Sequence, residues 1–373
     1  MKTFLIQINV TRDCNLRCSH CYIHTDVKVA SKRLERDEAV RIGKMIGEFL
    51  PGKSYQRAEI HFIGGEPTML DAEWFKDVLP RFREAMGEDI NADIVLVSNL
   101  LTNEEKLLEI ASLFDVVNTS WEPQTRFITK ANRFQPKLEA LWEKNARMLM
   151  AKGIRIGVTT AITSPVVAMG AAGAIEYLEG VGFKNIHFGF FTPAGDGIVH
   201  EKLVMPTLAE TADFLIDTGR WAIANRDRDA SFYVNPFESM LSAISHGEPM
   251  EDIVCPIVSG SIDINWDGNS APCLATGGNK EPNWSGNILT DGLIDVVAGE
   301  KYRNEVRRAT IGHRNCMACE ERPVCLSGCG LLKPYWDGES DDCHGFKRFI
   351  QFVRRSYEQG IIPRSNNFGA MSC

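Results

Sequence analysis

The chain has 373 residues and 44% hydrophobic content, enough for one large domain, a smaller one and a sizeable core. Its 41 Lys+Arg against 49 Asp+Glu give a net charge of −8, which excludes sequence-independent nucleic-acid binding because that needs clustered positive charge. The opening apolar run stops at Arg12 and Asp13, too short for a signal peptide, and no apolar window approaches the roughly 18 residues of a membrane span, so a cytoplasmic protein is expected. In that compartment thiols stay reduced, and spaced cysteines read as metal ligands rather than disulfides.

Short β-rich runs alternate with amphipathic stretches from the start. Strands are predicted at Phe4 to Val10, Glu59 to Ile63, Ile94 to Val97, Val116 to Thr119, Ile154 to Thr160 and Ile186 to Phe190. Between them, Leu34, Ala39, Ile42, Met45, Ile46 and Phe49 recur at helical spacing, and Leu138, Leu141, Trp142, Met148 and Leu149 do so less regularly. Strand–helix alternation implies a parallel sheet, and a count of six rather than eight implies an incomplete TIM-like (β/α)6 barrel. The expected organisation is a barrel over 1–205, a helical linker over 206–250, a cysteine-rich domain over 251–345 and a C-terminal helix and tail over 346–373. Asn265-Trp266-Asp267-Gly268-Asn269 carries a hairpin signal within the third of these.

Functional residues of such a sheet gather where strands end at their C-terminal side. Thr11 to Cys21 follows the first strand, Gly64-Gly65-Glu66-Pro67 the second, Ser98-Asn99 the third and Ser120 the fourth. Ten of the eleven cysteines fall into two spacing patterns, the first being Cys14-x3-Cys18-x2-Cys21. Three thiolates hold three corners of a cubane and leave its fourth iron open, which suits a reagent that binds iron through an amine and a carboxylate. No further cysteine lies between Cys21 and Cys255.

With this triad the chain resembles the radical S-adenosylmethionine (SAM) superfamily. The resemblance implies that His20, just before the last cysteine, and the adjacent Tyr22 lie against the adenine, and that Gly64, Gly65, Glu66 and Pro67 hold the methionine amino group. It carries Ser98, Asn99 and Ser120 to the ribose and Arg133 to the SAM carboxylate; Glu122 and Arg126 are alternative substrate contacts. Ser98, Asn99, Ser120 and Arg133 also have a plain surface or capping reading, Gly64 to Pro67 by itself reads as a turn, and the triad alone also has a zinc reading.

The second pattern, Cys255-x12-Gly268-x4-Cys273 followed by Cys316-x2-Cys319-x5-Cys325-x3-Cys329 and Cys343, resembles the SPASM domain of radical SAM enzymes that mature peptides and proteins. Gly286-Asn287-Ile288 sits where that family has a Gly-Asn-Ile turn. The resemblance implies one closed auxiliary cluster on Cys316, Cys319, Cys325 and Cys343 and another on Cys255, Cys273 and Cys329, whose fourth ligand is water, substrate or a side chain such as Asp263 or Asp267. Zinc on four cysteines would leave three surplus. Sulfatase-maturing relatives carry an aspartate directly after the equivalent of Cys273; Leu274 stands here and argues against formylglycine formation. His24, His187 and His344 read as packed or solvated, and Cys373 as an exposed thiol whose sharper reading is a hydrogen donor.

Taken together, the resemblance implies an oxidoreductase-type maturase in which SAM is reductively cleaved and the 5′-deoxyadenosyl radical takes hydrogen from a peptide or protein side chain, giving a crosslink or dehydrogenation. SAM and three [4Fe–4S] clusters are the implied cofactors, and a reduced flavodoxin- or ferredoxin-type protein the electron donor; no nucleic acid and no membrane are involved. Because the triad starts at Cys14, no N-terminal peptide-recognition domain is expected ahead of it, which keeps a carbohydrate or small-molecule dehydrogenase or epimerase as the alternative. A non-catalytic iron–sulfur or zinc protein leaves the Gly64 to Pro67 loop unexplained. Anaerobically reconstituted protein should hold about twelve irons per chain by elemental analysis; about four irons, or stoichiometric zinc, would contradict the assignment of the C-terminal cysteines.

Overall fold

The computed structural model describes residues 3–28, 32–53, 55, 57–131, 133–229, 231–247 and 255–364. Seven parallel strands follow one another across the sheet: β1 (Thr3–Thr11), β2 (Arg57–Gly64), β3 (Ala92–Val97), β4 (Val116–Ser120), β5 (Ile156–Ile162), β6 (Asn185–Phe190) and the short β7 (Tyr233–Asn235). The six expected strands are present with ends shifted by a residue or two, and β7 extends their sheet from within the segment read as a helical linker. At the other edge β8 (Ser261–Ile264) pairs parallel with β1, matching Leu5 to Ser261 and Gln7 to Asp263. From β8 the chain turns through Asn265 to Gly268 into antiparallel β9 (Asn269–Ala271), which pairs with β10 (Gly286–Asn287). The cysteine-rich segment therefore adds three strands to the barrel's own sheet.

The crossover helices earn their places by apolar stripes. Helix Arg36–Phe49 buries Ala39, Ile42, Ile46 and Phe49, and helix Ala72–Met86 buries Trp74, Phe75, Val78, Leu79 and Phe82. These meet Ile6, Ile8, Ile60 and Phe62 from the outer face of the sheet in one core. The alternate residues of the same strands, Leu5 and Gln7 on β1 and His61 and Ile63 on β2, face the inside of the half-barrel. Helix Lys347–Glu358 closes the C-terminal end by burying Phe349, Ile350 and Val353 against helices Leu208–Ala224 and Phe237–His246. Among the described residues no helix is long and apolar enough to cross a membrane.

Candidate active site

The loop leaving β1 carries Cys14, Cys18 and Cys21, and its backbone is fixed by the loop leaving β2. The Gly65 N–H donates to the Thr11 carbonyl at 2.9 Å and the Glu66 N–H to the Asp13 carbonyl at 2.8 Å. A Cβ on Gly64 would lie 2.3 Å from the Thr11 oxygen, and one on Gly65 2.1 Å from the Asp13 oxygen. The paired glycines, expected to admit a ligand, are thus already required by the approach of two backbones. Burial pushes the Cys14 thiol up to about 12 and the Cys18 thiol up to about 11, so both are neutral until a metal displaces their protons.

Glu66 is buried and heavily bonded. Its Oε1 accepts from the Thr68 N–H at 3.0 Å, the Thr68 hydroxyl at 2.7 Å and the Ser98 hydroxyl at 2.7 Å, while Oε2 accepts only the Asn99 N–H at 2.7 Å. Ser98 therefore positions Glu66, and Asn99 also donates through Nδ2 to Asn15 of the triad loop at 2.7 Å. Gly64, Gly65, Glu66, Ser98, Asn99 and Ser120 all reach one cavity of about 390 Å³, as do His20 and Tyr22. Pro67 is buried behind the loop, and Arg133 is exposed and outside the cavity wall, so the structure does not bring these two in with the others.

The arginine that the wall does contain is Arg126. Its Nε donates to Glu122 Oε2 at 2.5 Å, and the same oxygen lies 3.1 Å from His20 Nε2, while His20 Nδ1 meets the Thr125 hydroxyl at 3.0 Å. Burial works against the Glu122 carboxylate, but Arg126 and His20 outweigh it and hold the carboxyl down at about 2. A second buried cation, Lys28, sits 3.2 Å from Asp196, whose other oxygen caps the Thr25 N–H at 2.8 Å. Burial opposes the charge on Lys28, and Cys21 in its thiolate form together with Asp196 more than restores it.

The C-terminal cysteines separate into the two expected groups. Cys255, Cys273 and Cys329 line the same cavity as the triad, whereas Cys316, Cys319, Cys325 and Cys343 line a separate pocket of about 310 Å³ with Glu320, Arg322 and Asp341. Burial, then mutual proximity, raises Cys255, and burial takes Cys273 up to about 12. Among the described residues no three His, Cys, Asp or Glu side chains converge on one point as around a single zinc ion. The thiols within a group do act on one another, Cys14 with Cys18 and Cys21 and Cys255 with Cys273 and Cys329, as members of a shared thiolate donor set would. Asp267 is committed to the hairpin, accepting from Asn265 and Asn269, while Asp263 accepts from Asn9 Nδ2 at 2.7 Å through Oδ1 and its Oδ2 has no partner. Burial raises the Asp263 carboxyl to about 6 against the pull of Arg12. His344 is buried against Trp336, as a packed histidine should be, and Cys373 lies outside the described residues.

Several wall residues escaped the reading of the sequence: Gln7, Lys28, and His61 with its partner Glu59. The signal was present in β1 and β2, where Gln7 and Asn9 alternate with Ile6 and Ile8, and Glu59 and His61 with Ile60 and Phe62. That period marks a polar inner face.

A cysteine-lined cavity at the C-terminal mouth of a parallel half-barrel offers thiol donors of the kind that hold iron–sulfur clusters. The Radical SAM superfamily model matches residues 8–166, and the SPASM iron-sulfur cluster-binding domain model matches residues 255–320. The chain carries a radical SAM domain and a SPASM domain. Native anSMEcpe with bound AdoMet shares the fold at a TM-score of 0.73 and 18% identity, covering 96% of this chain and 100% of that one. Native anSMEcpe with AdoMet and the Kp18Cys peptide matches at 0.71 and 16%, covering 96% and 98%. Streptococcus suis SuiB bound to precursor peptide SuiA matches at 0.62 and 15%, covering 91% and 76%. A search of curated proteins gave no match.

Two substitutions test this geometry. Gly65→Ala must push the Asp13 carbonyl aside and should weaken SAM binding about tenfold or more by equilibrium dialysis, while Gly180→Ala, whose Cβ meets nothing within 4 Å, should leave it unchanged. Glu122→Gln strands the Arg126 charge and should cost about 3 kcal/mol in urea denaturation at neutral pH. Because the folded-state carboxyl is depressed, that difference should be full above the ordinary value of 4.5 and disappear as pH falls toward about 2.

Proposed function

We propose that this radical SAM/SPASM enzyme oxidises a side chain of a peptide or protein, by dehydrogenation or crosslinking. The observation that carries the reading is the single cavity walled at once by Cys14, Cys18 and Cys21, by the Gly64 to Glu66 loop, and by Cys255, Cys273 and Cys329. When bound, a cluster on the triad supplies the electron that cleaves SAM to methionine and the 5′-deoxyadenosyl radical, and clusters on the inner three and outer four C-terminal cysteines supply one-electron acceptors.

The chain's own residues prepare the site. Glu66, anchored by Thr68, Ser98 and Asn99, presents Oε2 to the methionine amine. His20, held at both ring nitrogens by Thr125 and Glu122, offers a fixed ring face to the adenine, with Tyr22 beside it. Ser120 and Asn99, in the same wall, would meet the ribose. Lys28 and Arg126 place fixed positive charge near the thiolates and favour an anionic cluster. Leu16, Ile23, Ile63, Val97, Phe190 and Phe191 exclude water from a reactive radical. Leu274 occupies the wall where a formylglycine-forming enzyme would be expected to carry a carboxylate, so another oxidation is favoured. The peptides carried by anSMEcpe and SuiB support a peptide substrate. A flavodoxin- or ferredoxin-type donor in the cytoplasm would supply electrons.

Replacing Cys14, Cys18 and Cys21 together by alanine should abolish 5′-deoxyadenosine formation from SAM and dithionite while about eight of twelve irons remain. Formation at the wild-type rate would refute the reading. With a synthetic peptide library, the wild type should yield products about two mass units lighter, and unchanged peptides alongside a modified sugar would favour the small-molecule alternative.

A further inference from the structure

On the inner face of the half-barrel, three adjacent strands carry a row of polar side chains in register: Asp263 on β8, Gln7 on β1 and His61 on β2. Neighbouring strands stand about 4.8 Å apart, so Gln7 and His61 are side by side. Both line the large cavity, and both are more than nine-tenths buried, at 6% and 2% exposure. His61 Nε2 is 2.6 Å from Glu59 Oε1. In the neutral imidazole a proton on Nε2, held by that carboxylate, leaves a lone pair on Nδ1. His61 turns Nε2 to Glu59, and both His61 and Gln7 belong to the wall of the cavity.

The row lies between the triad, at the end of β1, and Cys273, which follows the return strand β9 down to the level of Ser261. Polar side chains in a cavity wall favour an occupant that hydrogen-bonds them, because a polar group left without a partner is costly. The cations of the cavity are committed elsewhere, since Lys28 is paired with Asp196 and Arg126 with Glu122. Next in the row, Asp263 Oδ2 is, among the described residues, a buried acceptor without a partner. Leu5, Ile63, Val97 and Ala161 in the same wall suit an aliphatic stem.

We propose that Gln7 and His61, with Glu59 fixing the imidazole, form the receiving site for a substrate head group that donates N–H hydrogen bonds, an amine or a carboxamide on an aliphatic stem. The proposal rests on the reading that this cavity holds the substrate. It specifies which side chains are received: those of the lysine or glutamine type, with aliphatic and carboxylate-ended side chains rejected. Glu59 acts through His61 and is a positioning residue.

Small probes test the head group apart from any peptide. Pentylamine and pentanamide carry N–H donors; pentanoate and 2-hexanone carry acceptors alone. Anaerobic equilibrium dialysis of each against the cluster-loaded enzyme with SAM should show the first two binding at least about tenfold tighter than the others. Gln7→Leu and His61→Leu should each reduce that preference to about threefold or less, with Gln7→Met serving if His61→Leu does not fold. Tighter binding of pentylamine than of pentanamide assigns an amine head, and the reverse a carboxamide. The proposal is overturned if the ketone and carboxylate bind as well as the amine and amide, if none of the four binds, or if Gln7→Leu and Gln7→Met keep the full preference. Failure of the radical reading is distinct, since it would remove 5′-deoxyadenosine formation without touching this ranking.

Discussion

The site depends on one short strand pairing, Leu5 to Ile8 against Ser261 to Ile264. Because β8 runs parallel to β1, the hairpin at its end turns over the exit of β1, and Arg12 Nε bonds Asn265 Oδ1 there at 2.7 Å. Return strand β9 then carries the chain to Cys273, beside the inside of the half-barrel, and the Ser261 hydroxyl fixes the Pro272 carbonyl at 2.6 Å. The segment after Cys273 closes on the triad loop: the His24 N–H donates to the Gly278 carbonyl at 2.7 Å, and a Cβ on Gly278 would lie 2.2 Å from the Tyr22 oxygen. Cysteines more than two hundred residues apart in sequence thereby share one cavity.

Electrostatics sorts the wall of that cavity. Toward the triad lie cations whose carboxylate partners are buried with them, Lys28 with Asp196 and Arg126 with Glu122. Removing one partner of such a pair leaves an uncompensated charge, so each pair also fixes the loop that bears it. Toward β8 and β2 lie Asp263, Gln7 and the Glu59–His61 pair, a polar row without an excess of positive charge. The two parts of the wall thus differ in charge because polar residues alternate with apolar ones on adjacent strands.

The parallel strands were legible because each is a β-branched or aromatic run bounded by turns, and the N-terminal triad through its spacing, whereas the interleaved division of the C-terminal cysteines came from the resemblance to the SPASM domain and not from spacing alone. Glu66 was legible through its strand-end loop, although its hydroxyl and amide partners were not. A second demand on Gly64 and Gly65 was not legible, since only the fold shows the Thr11 and Asp13 carbonyls pressed against them. Arg133 was chosen by spacing, yet Arg126 occupies the wall because Glu122, four residues earlier on the same loop, turns its guanidinium inward. The β1–β8 pairing leaves no local trace, because register between strands so distant in sequence is set by the whole fold. His61 was within reach of the alternation in β2.

The central claim is that the triad and the Cys255, Cys273, Cys329 set face each other across one cavity, with the other four cysteines farther off. Magnetic coupling between reduced clusters falls steeply with separation, so pulsed electron paramagnetic resonance of the triad cluster measures this arrangement directly. Replacing Cys255, Cys273 and Cys329 by serine should remove most of the relaxation enhancement felt by the triad cluster, while replacing Cys316, Cys319, Cys325 and Cys343 should leave most of it. The reverse order, with the enhancement lost only when the outer four are replaced, would contradict the shared cavity.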